Sequence, residues 1–184
     1  MTLSWSQKLF LKINGTLGRR AWLDRIMVFF ATWGIVALFG IAVFDIVFFH
    51  ASSLSWFMLA VPLVAAGSAL CIHWVVAVIW RHKRPHAELS NVKTLCSTVQ
   101  EFKSFPSDHA MIATVLAVSV FFFSDVVYGM GLAGLWALCV AAARVYVGLH
   151  YPRDFLGGIL SGLFFFFLSY FWFAPFLFSF FRLV

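Results

Sequence analysis

The sequence predicts an all-α integral membrane protein, a helical bundle of about five transmembrane helices with a short N-terminal interfacial helix. Three observations carry that expectation. The 184 residues are 63% hydrophobic and 11% charged, with 24 phenylalanines. At a mean hydropathy of +0.96, so much apolar surface cannot be hidden in a water-soluble core. The apolar residues also fall into runs close to the roughly 20 residues that cross a hydrocarbon layer of about 30 Å, and the polar residues gather in three short segments.

In chain order, residues 1–22 mix charged with apolar side chains and lack the continuous apolar stretch of a cleaved signal. Leu3, Trp5, Leu9, Phe10 and Ile13, with Lys8 and Lys12 among them, predict a short interfacial helix ending near Gly15. Apolar runs at Ile26–Phe49, Leu54–Trp80, His109–Phe123, Val126–Ala143 and Phe155–Phe181 predict the spans, the third being short. A polar loop at 81–107 separates the second from the third, whereas the loops His50–Ser55 and Phe123–Gly129 are short and nearly uncharged. The whole chain, 1–184, reads as one membrane domain. Two spans lie between successive polar segments, so the N-terminal segment, the loop and the turn around His150 share one membrane face.

The net charge of +6 falls at span ends, where lysine and arginine serve as anchors and topology signals; no nucleic-acid partner is expected. Cys71, Cys96 and Cys139 form no C-x-x-C pair and are odd in number, so neither a disulfide framework nor a zinc site is inferred. Asp45 and His73, inside spans, are explained equally by interior hydrogen bonds or by nearness to the interface. Gly157, Gly158, Ser161 and Gly162 have the spacing of a close helix contact.

Three constellations stand on the polar face. Trp80–His86, "WRHKRPH", can be read as a cationic anchor followed by a helix-stopping proline. Phe105–Ala110, "FPSDHA", gives Ser107 as N-cap of the third span; a helix start is also a ready anion site, and His109 gains little structurally from its place there. In Arg144–Phe155, "RVYVGLHYPRDF", Pro152 suits the first turn of the last helix and Asp154 lies in the same turn. His150 and Asp154 alone could be a turn-stabilising pair. Arg84, Arg144, His109, His150, Ser107 and Asp154 together on one face ask for another explanation, because ionisable groups near a bilayer persist where they pair or do chemistry.

Arginine forks match phosphate oxygens, and a serine at a helix start adds neutral donors. Phosphoryl transfer needs chiefly positioning and charge stabilisation. A histidine held in one tautomer by a carboxylate is a competent nucleophile, and a second histidine can protonate the leaving oxygen. No cluster of metal ligands remains once these roles are filled, and the several carboxylates of a magnesium-dependent phosphatase are missing.

Arg84-Pro85, then Pro106-Ser107-Asp108-His109, then Arg144, His150 and Asp154 in the pattern R-x5-H-x3-D resemble the three-part signature of the type 2 phosphatidic acid phosphatase superfamily. The resemblance implies that His150 attacks phosphorus and becomes a phosphohistidine, that Asp154 orients it and that His109 is the general acid. Arg84, Arg144, Ser107 and the adjacent backbone N–H groups would hold the phosphate. It further implies action without metal or cofactor on a lipid phosphate or diphosphate at the membrane surface, with membrane lipids as the surroundings.

Two positions depart from the family pattern. Its first motif usually opens with a lysine seven residues before the arginine, where this chain has Ala77; Arg81 and Lys83 are the candidates to replace it at the phosphate. The second motif usually has glycine where this chain has Asp108, and the "PSDH" form resembles bacterial undecaprenyl pyrophosphate phosphatases, as does the layout ahead of the first span. With the surplus cations Arg81, Lys83, Lys103 and Arg153 available for a second phosphate, the expected substrate is a polyprenyl diphosphate. Phosphatidate or phosphatidylglycerol phosphate hydrolysis, a lipid phosphotransferase, and a phosphate-lipid binding or transport protein are the alternatives. Lys8, Lys12, Arg19, Arg20 and Arg25 share the polar face and by the positive-inside rule place it in the cytoplasm. The resemblance places it on the outer face of the plasma membrane, and the expectation follows the resemblance.

Overall fold

The computed structural model describes residues 3–49, 55–98, 100–124, 127–173, 175–176 and 179. Apart from Ser55, the expected loop His50–Ser55 lies outside the described residues, as do Asp125 and Val126 of the second nearly uncharged loop and most of the chain beyond Phe173. The described residues are helical with irregular connections: α1 (Trp5–Asn14), α2 (Ala21–Thr32), α3 (Gly34–Phe49), α4 (Ser55–Ile79), α5 (Pro85–Glu88), α6 (Asp108–Phe123), α7 (Val127–Tyr146) and α8 (Pro152–Leu168), which runs on into a π-helical turn at Ser169–Phe173.

The apolar run Ile26–Phe49, expected as one span, is two helices, α2 and α3, bent by 58° at their junction. Trp33 caps α2, and the indole Nε1–H of Trp136 on α7 donates to the Gly34 carbonyl at 2.8 Å, so a distant side chain holds the backbone at the break. By length and composition, Phe57–Ile79 and Pro152–Phe173 can each cross a membrane, and the bent α2–α3 pair can act as one further span; α6 and the described apolar stretch Gly131–Tyr146 are shorter.

At the centre lies α6, packed on α3, α4, α7 and α8. Residues all round it are buried, among them Ala110, Met111, Ala113, Val115, Leu116 and Val120, as expected of a helix without a polar face. Its hydroxyls turn back into their own helix, Thr114 Oγ1 donating to the Ala110 carbonyl at 2.8 Å and Ser119 Oγ to that of Val115 at 2.7 Å. The small residues of α8 allow a close crossing: a Cβ on Gly158 would stand 2.5 Å from the Ser107 carbonyl oxygen, and one on Gly162 2.7 Å from that of Met111.

With this packing, α4 and α7 end where α6 and α8 begin. The N-terminal segment is tied to that end. Ser6 Oγ accepts the Arg153 N–H at 3.1 Å, Gln7 Nε2 donates to Glu88 at 3.1 Å, and Asn14 Nδ2 donates to the Lys93 carbonyl at 2.7 Å. Phe10 of α1 is fully buried, its ring edge-on to Tyr151 at 5.4 Å, while Trp5 and Leu9 stay exposed. The three polar segments therefore meet at one end of the bundle.

Candidate active site

The polar loop brings Arg84 to this end by pairing with itself. His82 and Lys103 form an isolated parallel bridge; the Arg84 N–H donates to Glu101 O at 2.9 Å and the Ser104 N–H to His82 O at 3.0 Å. Pro85 holds Arg84 extended as the N-cap of α5. The buried guanidinium donates through Nε to Gln100 O at 2.6 Å and through Nη1 to Leu149 O at 3.0 Å. Burial lowers its pKa, partly countered by Asp108 and Asp154, and it remains a cation.

The turn after α7 supplies the histidine. Gly148 takes a left-handed φ of 90°, with no room for a Cβ against the Lys93 carbonyl. The chain then brings the His150 N–H back to the Arg144 carbonyl at 3.2 Å. His150 Nδ1 lies 2.8 Å from the carbonyl oxygen of Ser104. A carbonyl only accepts, so Nδ1 carries the proton and Nε2 presents its lone pair, 3.2 Å from Arg84 Nη1. Asp154 Oδ2 accepts from Ser104 Oγ at 2.5 Å and from the Tyr151 N–H at 2.8 Å, and lies 3.6 Å from His150 Nδ1, beyond hydrogen-bond reach. Burial pushes the His150 pKa down to about 4, with Arg84 and Arg144 acting in the same sense and Asp154 against them.

Arg144 is buried near the end of α7. Its Nη1 donates to Ala31 O at 2.9 Å, a carbonyl near the end of α2, so the bend at Trp33 also anchors this arginine. Its Nε is buried and has no hydrogen-bond partner among the described residues, a donor left for an anion. Ser107 caps α6, its hydroxyl accepting the Ala110 N–H at 3.4 Å and its own N–H donating to Asp154 O at 3.0 Å. His109, in the first turn of α6 and half-buried, lies within electrostatic range of Arg144, His150, Asp108 and Arg84.

Of the residues singled out in the sequence, the structure thus gathers His150, His109, Asp154, Arg84, Arg144, Ser107 and Asp108. Both carboxylate oxygens of Asp108 are engaged, by His73 Nδ1 at 2.8 Å and Lys103 Nζ at 2.5 Å. Arg81 and Lys83 are exposed, Arg81 standing over the Phe102 ring at 5.7 Å. Ala77 is fully buried. Ser104 was not legible, because its part is played by a backbone carbonyl and a hydroxyl to which no motif points. Lys103 was visible only as one surplus cation, and His73 only as an ionisable residue in an apolar span. Among the described residues no group of three or more His, Cys, Asp or Glu side chains is placed to hold a metal ion.

The chain resembles known proteins over most of its length. The description of the PAP2 superfamily matches residues 56–177. The chain is 30% identical over 156 residues to "Undecaprenyl-diphosphatase BcrC" of Bacillus subtilis (strain 168), covering 85% of this chain and 78% of that protein. It is 32% identical over 100 residues to "Putative undecaprenyl-diphosphatase YbjG" of Escherichia coli (strain K12), covering 54% of this chain; that match spans about half, 49%, of the relative's length. Among solved structures, Aquifex aeolicus LpxE superposes with a TM-score of 0.74 at 23% identity, over 91% of this chain and 95% of that one, and shares the fold. The first transmembrane PAP2 type phosphatidylglycerolphosphate phosphatase from Bacillus subtilis superposes with a TM-score of 0.67 at 26% identity, over 89% of this chain and 82% of that one.

Proposed function

The chain belongs to the PAP2 superfamily, a family of lipid phosphatases, and from that premise we propose that it removes the terminal phosphate of a polyprenyl diphosphate, without a metal, through a phosphohistidine. The observation that carries the reading is the state of His150: Nδ1 is spent on the Ser104 carbonyl, which leaves Nε2 unprotonated, its lone pair accepting from Arg84 Nη1 at 3.2 Å until a phosphate takes up that donor. Nε2 attacks the terminal phosphorus as the bond to the bridging oxygen breaks. Arg84, Arg144 and the free N–H groups in the first turn of α6 take up the charge on the equatorial oxygens. His109 gives its proton to the departing lipid phosphate, then accepts one from the water that hydrolyses the N–P bond, so protons and charge balance over the cycle.

The diphosphate is favoured over other lipids by the two relatives named for undecaprenyl-diphosphatase activity and by Asp108, which departs from the family's usual glycine. The B. subtilis structure named for phosphatidylglycerolphosphate supports a second reading, hydrolysis of a lipid phosphomonoester by the same residues. The whole chain acts as one domain, residues 1–22 lying at the interface and residues 81–107 forming the active-site loop, with the site on the outer face of the plasma membrane. The test is phosphate release by detergent-purified protein, with chelator present, from undecaprenyl diphosphate, phosphatidate and phosphatidylglycerol phosphate. The highest kcat/KM on the diphosphate supports the reading; a higher value on either monoester, or a strict need for added magnesium, overturns it.

A further inference from the structure

A chain of polar side chains beside the phosphate cradle takes no part in the mechanism above. Ser161 Oγ of α8 lies 2.7 Å from His73 Nε2 of α4, His73 Nδ1 lies 2.8 Å from Asp108 Oδ1 at the start of α6, and Asp108 Oδ2 lies 2.5 Å from Lys103 Nζ in the polar loop. The carboxylate accepts from His73 Nδ1–H, so His73 Nε2 accepts from the Ser161 hydroxyl. His73 is 2% exposed. A buried histidine in an apolar helix is costly unless it is paired, and here it ends on the one carboxylate that stands in the first turn of α6.

A carboxylate beside a phosphate cradle repels the substrate. Lys103 cancels that charge, and His73 fixes the carboxylate that aims the ammonium. Lys103 is itself buried. An ammonium has three donors, of which Asp108 takes one, and its nitrogen lies 6.0 Å from the ring centroid of Trp74, an indole half exposed on α4. Asp108 immediately precedes His109, the proposed acid for the departing oxygen, so Lys103, bonded to Asp108, stands at the same start of α6 from which the leaving group would be protonated. In a diphosphate lipid that side holds the second phosphate; in a monophosphate lipid it holds uncharged atoms. The other surplus cations are placed differently: Arg81 and Lys83 are exposed, and Arg153 lies over Tyr151 with its Nε 3.5 Å from Asp154.

Resting on the diphosphate reading, we propose that Lys103 is a specificity residue that binds the phosphate remaining on the lipid, and that Asp108, His73 and Ser161 are positioning residues that hold its ammonium there. The test compares farnesyl diphosphate with farnesyl monophosphate, which share one lipid. Wild type should prefer the diphosphate. Lys103→Met should lower the diphosphate-to-monophosphate ratio of kcat/KM by about 10–10², the worth of a charge-assisted contact, Lys103→Arg should keep the ratio, and His73→Gln should lower it by a smaller factor. If Lys103→Met yields no folded protein, Lys103→Gln carries the same expectation. A Lys103→Met enzyme whose activity falls equally on both lipids overturns the inference while the diphosphate reading stands. A wild type without preference for the diphosphate overturns that reading first, and the inference with it.

Discussion

The carbonyl oxygen of Ser104 accepts the Nδ1–H of His150 at 2.8 Å. The tautomer of the proposed nucleophile is therefore set by a backbone atom. Asp154, 3.6 Å from the ring nitrogen, acts at one remove, gripping the Ser104 hydroxyl and the Tyr151 N–H so that the carbonyl points where the imidazole needs it.

Asp154→Asn should accordingly cost less than in a triad whose carboxylate alone sets the tautomer, where the loss is about 10⁴ in kcat. We expect kcat to fall by about 10–10², since the Ser104 carbonyl still fixes Nδ1–H when the supporting charge is lost. Ser104→Ala, which keeps the carbonyl, should fall in the same range. A loss near 10⁴ for Asp154→Asn in steady-state assays would show the carboxylate to be the direct partner during turnover.

The pH dependence follows from the His150 pKa of about 4, below the ordinary histidine value of about 6.5. Protonated imidazole has no lone pair to offer, so the nucleophile is competent above that value and is lost as pH falls through about 4. The acid limb of kcat/KM due to this group should stand near 4. Stability shares the sign: the unfolded chain takes up this proton near 6.5 and the folded chain only near 4, so stability drains away as pH falls between the two. Thermal midpoints at pH 7 and pH 5 should differ more in wild type than in His150→Gln; equal differences would remove His150 from the account.

His109→Ala should lower the rate on a lipid phosphomonoester such as farnesyl monophosphate, whose alkoxide leaves only with a proton, by about 10²–10⁴, the worth of a positioned general acid. With p-nitrophenyl phosphate, whose leaving group departs without a proton, the loss should be much smaller. Equal losses on the two substrates would assign His109 to phosphate binding instead.

Much of this site was legible because its chemistry needs particular side chains at fixed spacing. His150 and Asp154 flank Pro152 at the start of α8, and Ser107 and His109 flank the start of α6. The gathering of polar segments at one end followed from counting apolar runs. What sequence could not show is whatever depends on backbone atoms or on distant partners. Ile26–Phe49 is apolar but for Thr32 and Asp45, and only Gly34 hints at the bend that Trp136 and Arg144 stabilise from α7 through the Gly34 and Ala31 carbonyls. The Ser104 carbonyl has no signature at all. His73 and Lys103 are 30 residues apart in sequence and meet on Asp108 only because α4 and α6 pack together.

An outward-facing site is testable with a thiol probe on the polar loop. Cys96 is half-buried beside Leu17, Tyr146 and Leu149, and burial raises its pKa, so it reacts poorly with maleimides. Ser90 is exposed on the same loop. Ser90→Cys in a Cys96→Ser background should be labelled by a membrane-impermeant maleimide on intact cells; labelling only after the cells are opened would put the site in the cytoplasm, as the N-terminal cations suggest.

The most direct test of the central claim is to trap the covalent intermediate. Protein mixed with a polyprenyl diphosphate carrying ³²P in its terminal phosphate and quenched in alkali within one turnover should carry an acid-labile, alkali-stable label. Peptide mapping should place that label on His150, and it should be absent from His150→Ala, which still binds the lipid through Arg84 and Arg144. A label on another residue, or full turnover with no labelled protein at any quench time, would contradict the phosphohistidine mechanism.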